Sequence, residues 1–214
     1  MASSEIEALS ARFDVSRETI DKLQAYVSLM LKWQSKINII GPSTADQVWQ
    51  RHIADSLQLT PFIEKLAPNA SISVLDLGTG AGLPGVPLAL HLAQKGKPYV
   101  HLVDSNTKKA AFLREAVRLT EIEAEIYCKR IEDIDASVVS PAPNIVVSRA
   151  LAPLDQLLAW AYPWIERGAA GVFLKGRSVE KELAATDPSR PLIYKVVQSE
   201  LNSESAIVVA EARG

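Results

Sequence analysis

Val74-Leu75-Asp76-Leu77-Gly78-Thr79-Gly80-Ala81-Gly82-Leu83-Pro84-Gly85 is the stretch on which the fold turns. A short apolar run closes on a carboxylate and then meets Gly78, Gly80, Gly82 and Gly85 in quick succession. The apolar segment 86–92 follows at once. A strand running into a glycine turn and then into a helix fits this order. Glycines permit a tight turn and let backbone approach a ligand. The helix start behind them offers amide groups with no partner inside the helix.

The same alternation continues downstream. Strands are predicted over 72–77, 99–103 (ending at Asp104), 124–127, 145–147 and 171–174, and helices over 86–92, 107–119 and 154–164. Such alternation specifies a mostly parallel sheet covered by helices. The last two predicted strands, 192–197 and 206–210, have no room for a helix between them and must form an antiparallel hairpin. The ligand crevice is expected at the carboxyl ends of the early strands.

Upstream, residues 1–67 read as a helical extension, leaving 68–214 as the sheet-bearing domain. Ile20, Leu23, Val27, Met30 and Leu31 recur at helical spacing, with Ser16 as N-cap and Glu18 in the first turn. Trp33 and Ile37 prolong that face until Gly41-Pro42 stops it. A second helix is predicted from Ser43 or Thr44, carrying Val48, Ile53 and Leu57.

Composition sets bounds. The chain has 214 residues, 48% hydrophobic and 22% charged, with a net charge of −2. That is enough apolar material for a core without disulfides or structural metal. A protein that coats nucleic acid indiscriminately would be basic, so any such contact here must come from a local patch. One cysteine, Cys128, excludes an intrachain disulfide, and His52, His91 and His101 stand at no metal-ligand spacing. No metal site is expected. No basic segment followed by an apolar run opens the sequence, so a reducing cytoplasm is the expected compartment, with no membrane partner.

Two cofactors suit the glycine stretch. Gly80-Ala81-Gly82-Leu83-Pro84-Gly85 matches the dinucleotide pattern G-x-G-x-x-G, and Asp104 stands about 20 residues on, where a ribose-binding carboxylate belongs. This reading makes the chain an NAD-dependent oxidoreductase. Asp76-x-Gly78-x-Gly80-x-Gly82 also matches the D/E-x-G-x-G-x-G of S-adenosylmethionine methyltransferases. Asp76 beside the turn would repel a pyrophosphate but welcome an ammonium or sulfonium, which favours the second cofactor. A non-catalytic module that binds S-adenosylmethionine or RNA would carry the same residues.

Several further segments resemble one family, the GidB/RsmG methyltransferases. Gly78-Thr79-Gly80-Ala81-Gly82-Leu83-Pro84-Gly85 is similar to its G-S/T-G-A-G-F/L-P-G. Leu102-Val103-Asp104-Ser105-Asn106, Lys108 and Phe112-Leu113-Arg114-Glu115 resemble its L-x-D-S-N-x-K-x-x-F-L-x-E. Arg51-His52-Ile53-Ala54-Asp55-Ser56-Leu57 resembles its R-H-x-x-D-S-L, and Ser148-Arg149-Ala150 and Leu174-Lys175-Gly176 match two later signatures. Of the W-N-x-x-x-N-L-T segment, only Trp33 and Asn38 are kept.

The resemblance implies a Rossmann-like class I methyltransferase fold and methyl transfer from S-adenosylmethionine to N7 of a guanine in 16S rRNA. It implies that Asp76, Gly78, Gly80, Gly82 and Leu83 surround the methionine part of the cofactor. Asp104 and Ser105 would then meet the ribose, and Ile131 and Glu132 the adenine. Arg149 is implied both as the catalytic residue and as a cofactor contact, holding guanine O6, a phosphate or the cofactor itself. Lys36, Arg51, His52, Lys175 and Arg177 are the candidate RNA contacts. The implied partner is 16S rRNA within a small-subunit particle, met by a monomer.

Overall fold

The computed structural model describes residues 2–68 and 71–213. Seven strands form one sheet in the order β3-β2-β1-β4-β5-β7-β6. They are β1 Ser73–Leu77, β2 Tyr99–Val103, β3 Ala124–Tyr127, β4 Ile145–Arg149, β5 Ala170–Lys175, β6 Leu192–Gln198 and β7 Ala206–Ala212. The first five run parallel, and β7 lies antiparallel to both β5 and β6. Chain order reverses between β1 and β4, which opens a crevice at their carboxyl ends.

Alternation along β1 divides the core. Leu75 and Leu77 face one side, where helix α7 (Leu154–Ile165) brings Leu154, Leu157, Leu158 and Trp164 against them. Val74 faces the other side, with Val100, Leu102 and Val147. There the helices α5 (Gly85–Leu92) and α6 (Thr107–Thr120) lie together with the N-terminal elements. Helix α8 (Val179–Ala184), which the sequence did not suggest, follows β5.

The N-terminal segment is helical, as expected, but its breaks differ. Helices α1 (Ala2–Phe13) and α2 (Arg17–Gln34) lead the chain, and the Ser16 side chain caps α2 by accepting from the Thr19 amide. Helix α2 stops at Gln34, short of Gly41-Pro42. The Gln34 amide ends it: Oε1 accepts from Ile39 N and Ile40 N, and Nε2 donates to Ile40 O, so the chain folds back. The predicted second helix is instead a 3-10 turn over Pro42–Gln47, a π-helical stretch over Trp49–Ala54, the short α3 (Asp55–Leu57) and then α4 (Thr60–Leu66). A π-helical stretch is rare and frequently marks a functional site.

Three side chains tie this segment to the sheet. Tyr26 Oη donates to Ala81 O at 2.5 Å. Trp33 Nε1 donates to Glu115 Oε2 at 2.9 Å, with its ring edge-on to Phe112. His91 lies between Thr60 Oγ1 and Phe13 O.

Candidate active site

The glycine loop leaves β1 in a conformation that only glycine takes without strain. Gly78, Gly80 and Gly82 have φ of +67°, +58° and +85°. Asp76 staples the loop. Its Oδ2 accepts from Thr79 Oγ1 at 2.5 Å and from Gly85 N, at the start of α5, at 2.8 Å. The carboxylate is fully buried, and Oδ1 has no partner. Burial raises the Asp76 pKa to about 7 against the pull of those two donors.

A carboxylate raised this way is protonated more readily folded than unfolded. Stability should therefore fall as pH rises from about 4 to about 7, and stay flat above. Burial lowers the pKa of His52, His91 and His101, which pulls the other way over much of this window. The informative quantity is the difference between wild type and Asp76→Asn. Melting curves at stepped pH are expected to show the wild type losing ground to the variant up to about pH 7; parallel profiles would contradict the burial argument.

Asp104 follows β2. Its Oδ2 accepts from Gly80 N at 3.1 Å and faces Lys109 Nζ at 3.6 Å, and its Oδ1 accepts from Asn106 N at 2.8 Å. Two carboxylate oxygens offer about four acceptor sites, so Asp104 retains capacity for a ligand hydroxyl. A pocket of about 120 Å³ lies beside it, lined by Gly78, Asp104, Ser105, Ile131, Glu132, Leu151 and Trp160 among others. Trp160 Nε1 donates to Glu132 Oε1 at 3.0 Å and fixes that wall. Leu151 covers the Gly78 end: a Cβ built on Gly78 would lie 2.3 Å from Leu151 Cδ1. The volume is well below the roughly 300–1,000 Å³ of sites that enclose a drug-sized ligand.

Arg149 is the last residue of β4. Its Nη1 donates to Arg51 O at 2.7 Å and its Nη2 to His52 Nδ1 at 2.8 Å. Ala150 follows at φ +51°, a left-handed conformation that swings the chain into Leu151.

The sequence model of GidB, rRNA small subunit methyltransferase G, matches residues 19–206. The chain belongs to this family. The ribosomal RNA small subunit methyltransferase G of Paramagnetospirillum magneticum is 46% identical over 180 residues, covering 84% of this chain and 82% of the relative. That of Bradyrhizobium sp. strain ORS 278 is 43% identical over 211 residues, covering 99% and 92%. Among solved structures, a Corynebacterium glutamicum protein superposes with a TM-score of 0.58 at 16% identity, covering 88% of this chain and 90% of its own. The human methyltransferase 10 domain containing protein gives 0.51 at 11% identity, covering 74% and 82%. These two likenesses concern the fold, and together with the seven-stranded sheet they make this a Rossmann-like class I methyltransferase fold.

Within this family member, one pocket gathers Gly78, Asp104, Ser105, Ile131 and Glu132. Asp76 is spent on the loop. Leu83 is 3% exposed and packs in the core, with its amide donated to Thr79 O, so its side chain does not line the pocket. Of the basic residues, Lys36, Arg51 and Arg177 are exposed, and Arg177 pairs with Glu204. His52 is 5% exposed and Lys175 8%. Lys175 Nζ donates to Glu182 Oε2 and to Ala152 O, each at 2.7 Å. That ammonium holds the 150–152 loop and does not face outward.

Tyr26, Lys109, Leu151 and Trp160 were not singled out from sequence for the site. The one available signal was position: Lys109 sits five residues beyond Asp104, near the start of the predicted helix. The other three arrive through tertiary packing, which sequence spacing does not report.

Proposed function

We propose that the chain transfers the methyl group of S-adenosylmethionine to N7 of a guanine in 16S rRNA. The observation that carries this reading is the glycine loop closed by its own carboxylates, in a chain of the rRNA small subunit methyltransferase G family. In dinucleotide folds the free amides at the helix start hold the pyrophosphate. Here Asp76 takes the Gly85 amide and Asp104 takes the Gly80 amide. Negative charge therefore occupies the place a diphosphate would need, which weighs against an NAD-dependent oxidoreductase. The residues suit S-adenosylmethionine: Asp104 lines the pocket and keeps acceptor capacity there for the ribose hydroxyls.

Bound S-adenosylmethionine supplies an electrophilic methyl on a sulfonium. Guanine N7 offers an in-plane lone pair and carries no proton at neutral pH. No general base is needed, and the protein's task is to hold two reactants in line. Asp104 and Ser105 would hold the ribose, Ile131 and Glu132 the adenine, and the Gly78–Gly82 backbone the methionine part. Arg149 has two of its five N–H donors committed to Arg51 and His52, and the others are left for guanine O6 or a phosphate. A bidentate grip on O6 and N7 would block the reacting lone pair, so O6 is the contact that permits reaction.

The test is transfer of labelled methyl to ribosomal RNA, offered as small-subunit particles and as free RNA, followed by mapping of the labelled nucleotide. Label at a guanine N7 is expected. Cofactor binding without transfer to any particle would instead favour a non-catalytic module.

The extension 1–67 contributes the RNA-facing side and 68–214 the cofactor side of a cytoplasmic monomer. Among the described residues, no helix is long and apolar enough to cross a membrane. Lys36 and Arg51 are the exposed cations offered to phosphate, while Arg177 is exposed but paired with Glu204. Replacing Lys36 and Arg51 together by alanine should flatten the plot of log affinity against log salt by about 0.7–0.9 for each phosphate that is no longer neutralised. Filter binding across a salt series measures this; an unchanged slope means neither touches phosphate. Lys175→Met should leave the slope alone and lower the melting temperature.

A further inference from the structure

We infer that His52 is a positioning residue: a neutral imidazole, protonated on Nε2, that aims the Arg149 guanidinium into the crevice. The inference rests on the role proposed above for Arg149.

Hydrogen-bond directions leave one solution. Arg149 Nη2 lies 2.8 Å from His52 Nδ1. A guanidinium has donors only and stays charged in proteins, so Nδ1 must be the bare acceptor. On the far side of the ring, Nε2 lies 2.9 Å from Thr44 Oγ1. Thr44 Oγ1 gives its single hydrogen to Gly41 O at 2.8 Å. It can therefore only accept from the ring, and Nε2 must carry the proton. The chain runs Arg149 to His52 to Thr44 to the Gly41 carbonyl, each donor meeting an acceptor.

The surroundings agree. His52 is 5% exposed, and burial together with the Arg149 and Arg51 charges lowers its pKa to about 4. Asp55 and Asp76 are the acidic groups whose charges act on Arg149. The second Arg149 bond, to Arg51 O, comes from the same π-helical stretch, Trp49–Ala54. Ser56 Oγ donates to His52 O and secures the backbone there. Two bonds from one π-helical segment set the direction of the remaining guanidinium donors, and reacting groups misplaced by about 1 Å can cost about a hundredfold in rate. With both ring nitrogens satisfied and the ring neutral, His52 is left with no charge to offer an RNA phosphate.

Three substitutions separate aiming from mere packing. His52→Asn keeps an acceptor where Nδ1 stood and gives up Thr44. His52→Gln extends its amide toward Thr44 and gives up the acceptor for Arg149. His52→Leu removes both. We expect His52→Asn to keep kcat within about threefold of wild type, and His52→Gln and His52→Leu to lose about 10–100-fold. Calorimetric affinity for S-adenosylmethionine should be unchanged in all three. Independently of activity, 15N NMR of histidine-labelled protein near neutral pH should show a bare Nδ1 and a protonated Nε2 for His52, its signals assigned by their loss in His52→Asn. An Nδ1–H tautomer, an imidazolium, or wild-type turnover by His52→Leu would overturn the inference. Wild-type turnover by Arg149→Ala would instead remove the proposed role of Arg149, while the NMR result still reports on the ring. If His52→Leu fails to fold, the wild-type spectrum decides.

Discussion

Arg149→Ala is expected to lower turnover on small-subunit particles by about 10²–10³-fold, the range seen when one preorganised donor is removed from a reacting centre. Affinity for S-adenosylmethionine should change little, because the pocket walls at Asp104, Ile131 and Glu132 make no hydrogen bond to the guanidinium. The truncation leaves Arg51 O and His52 Nδ1 without their partner, so some loss of stability is expected and melting must be measured alongside. Arg149→Lys should recover less than about a tenth of wild-type activity, since one ammonium lacks the planar fork that reaches two acceptors while presenting further donors. Single-turnover methyl transfer at saturating cofactor is the proper assay. Turnover of Arg149→Ala within about threefold of wild type, with the fold intact, would remove Arg149 from the reaction.

The second large effect concerns the loop itself. Gly82→Ala is expected to cost roughly 2–5 kcal/mol. The φ of +85° alone is worth about 1–2 kcal/mol against a residue with a Cβ. The added carbon would lie 2.7 Å from Val86 Cγ2, 3.2 Å from Leu113 Cδ2 and 3.3 Å from Tyr26 Oη. Overpacking of that kind adds about 1–3 kcal/mol. For a chain of this length the melting temperature should fall by roughly 5–20 °C. Gly96→Ala is the control, because nothing lies within 4 Å of its Cβ position. A Gly82→Ala variant that melts with the control would mean that the loop yields easily and that its shape is not what prepares the crevice.

The sheet was largely legible because period and punctuation agree along it. Strands β2 and β3 have the boundaries that alternation predicts, and the absence of room for a helix between β6 and β7 forced their antiparallel pairing. The segment 42–57 was not legible. No glycine or proline within Trp49–Ala54 marks the π-helical stretch, whose Arg51 carbonyl and His52 ring meet Arg149 from the distant β4. Lys175 read as a surface cation because lysine usually is one, and its burial depends on Glu182 lying opposite, in a helix the sequence did not suggest. Asp76 illustrates the limit of a motif. The pattern locates a carboxylate beside the glycine turn, but only the fold reveals that one of its oxygens is taken up by Thr79 and Gly85.

The bond from Tyr26 to Ala81 spans 55 residues, and that from Trp33 to Glu115 spans 82. During translation, therefore, α2 leaves the ribosome well before anything exists to cover Leu23, Tyr26 and Met30, all fully shielded in the finished protein. Until α6 has been synthesised that greasy face waits in the open, the kind of transiently exposed surface that makes a folding chain prone to aggregate.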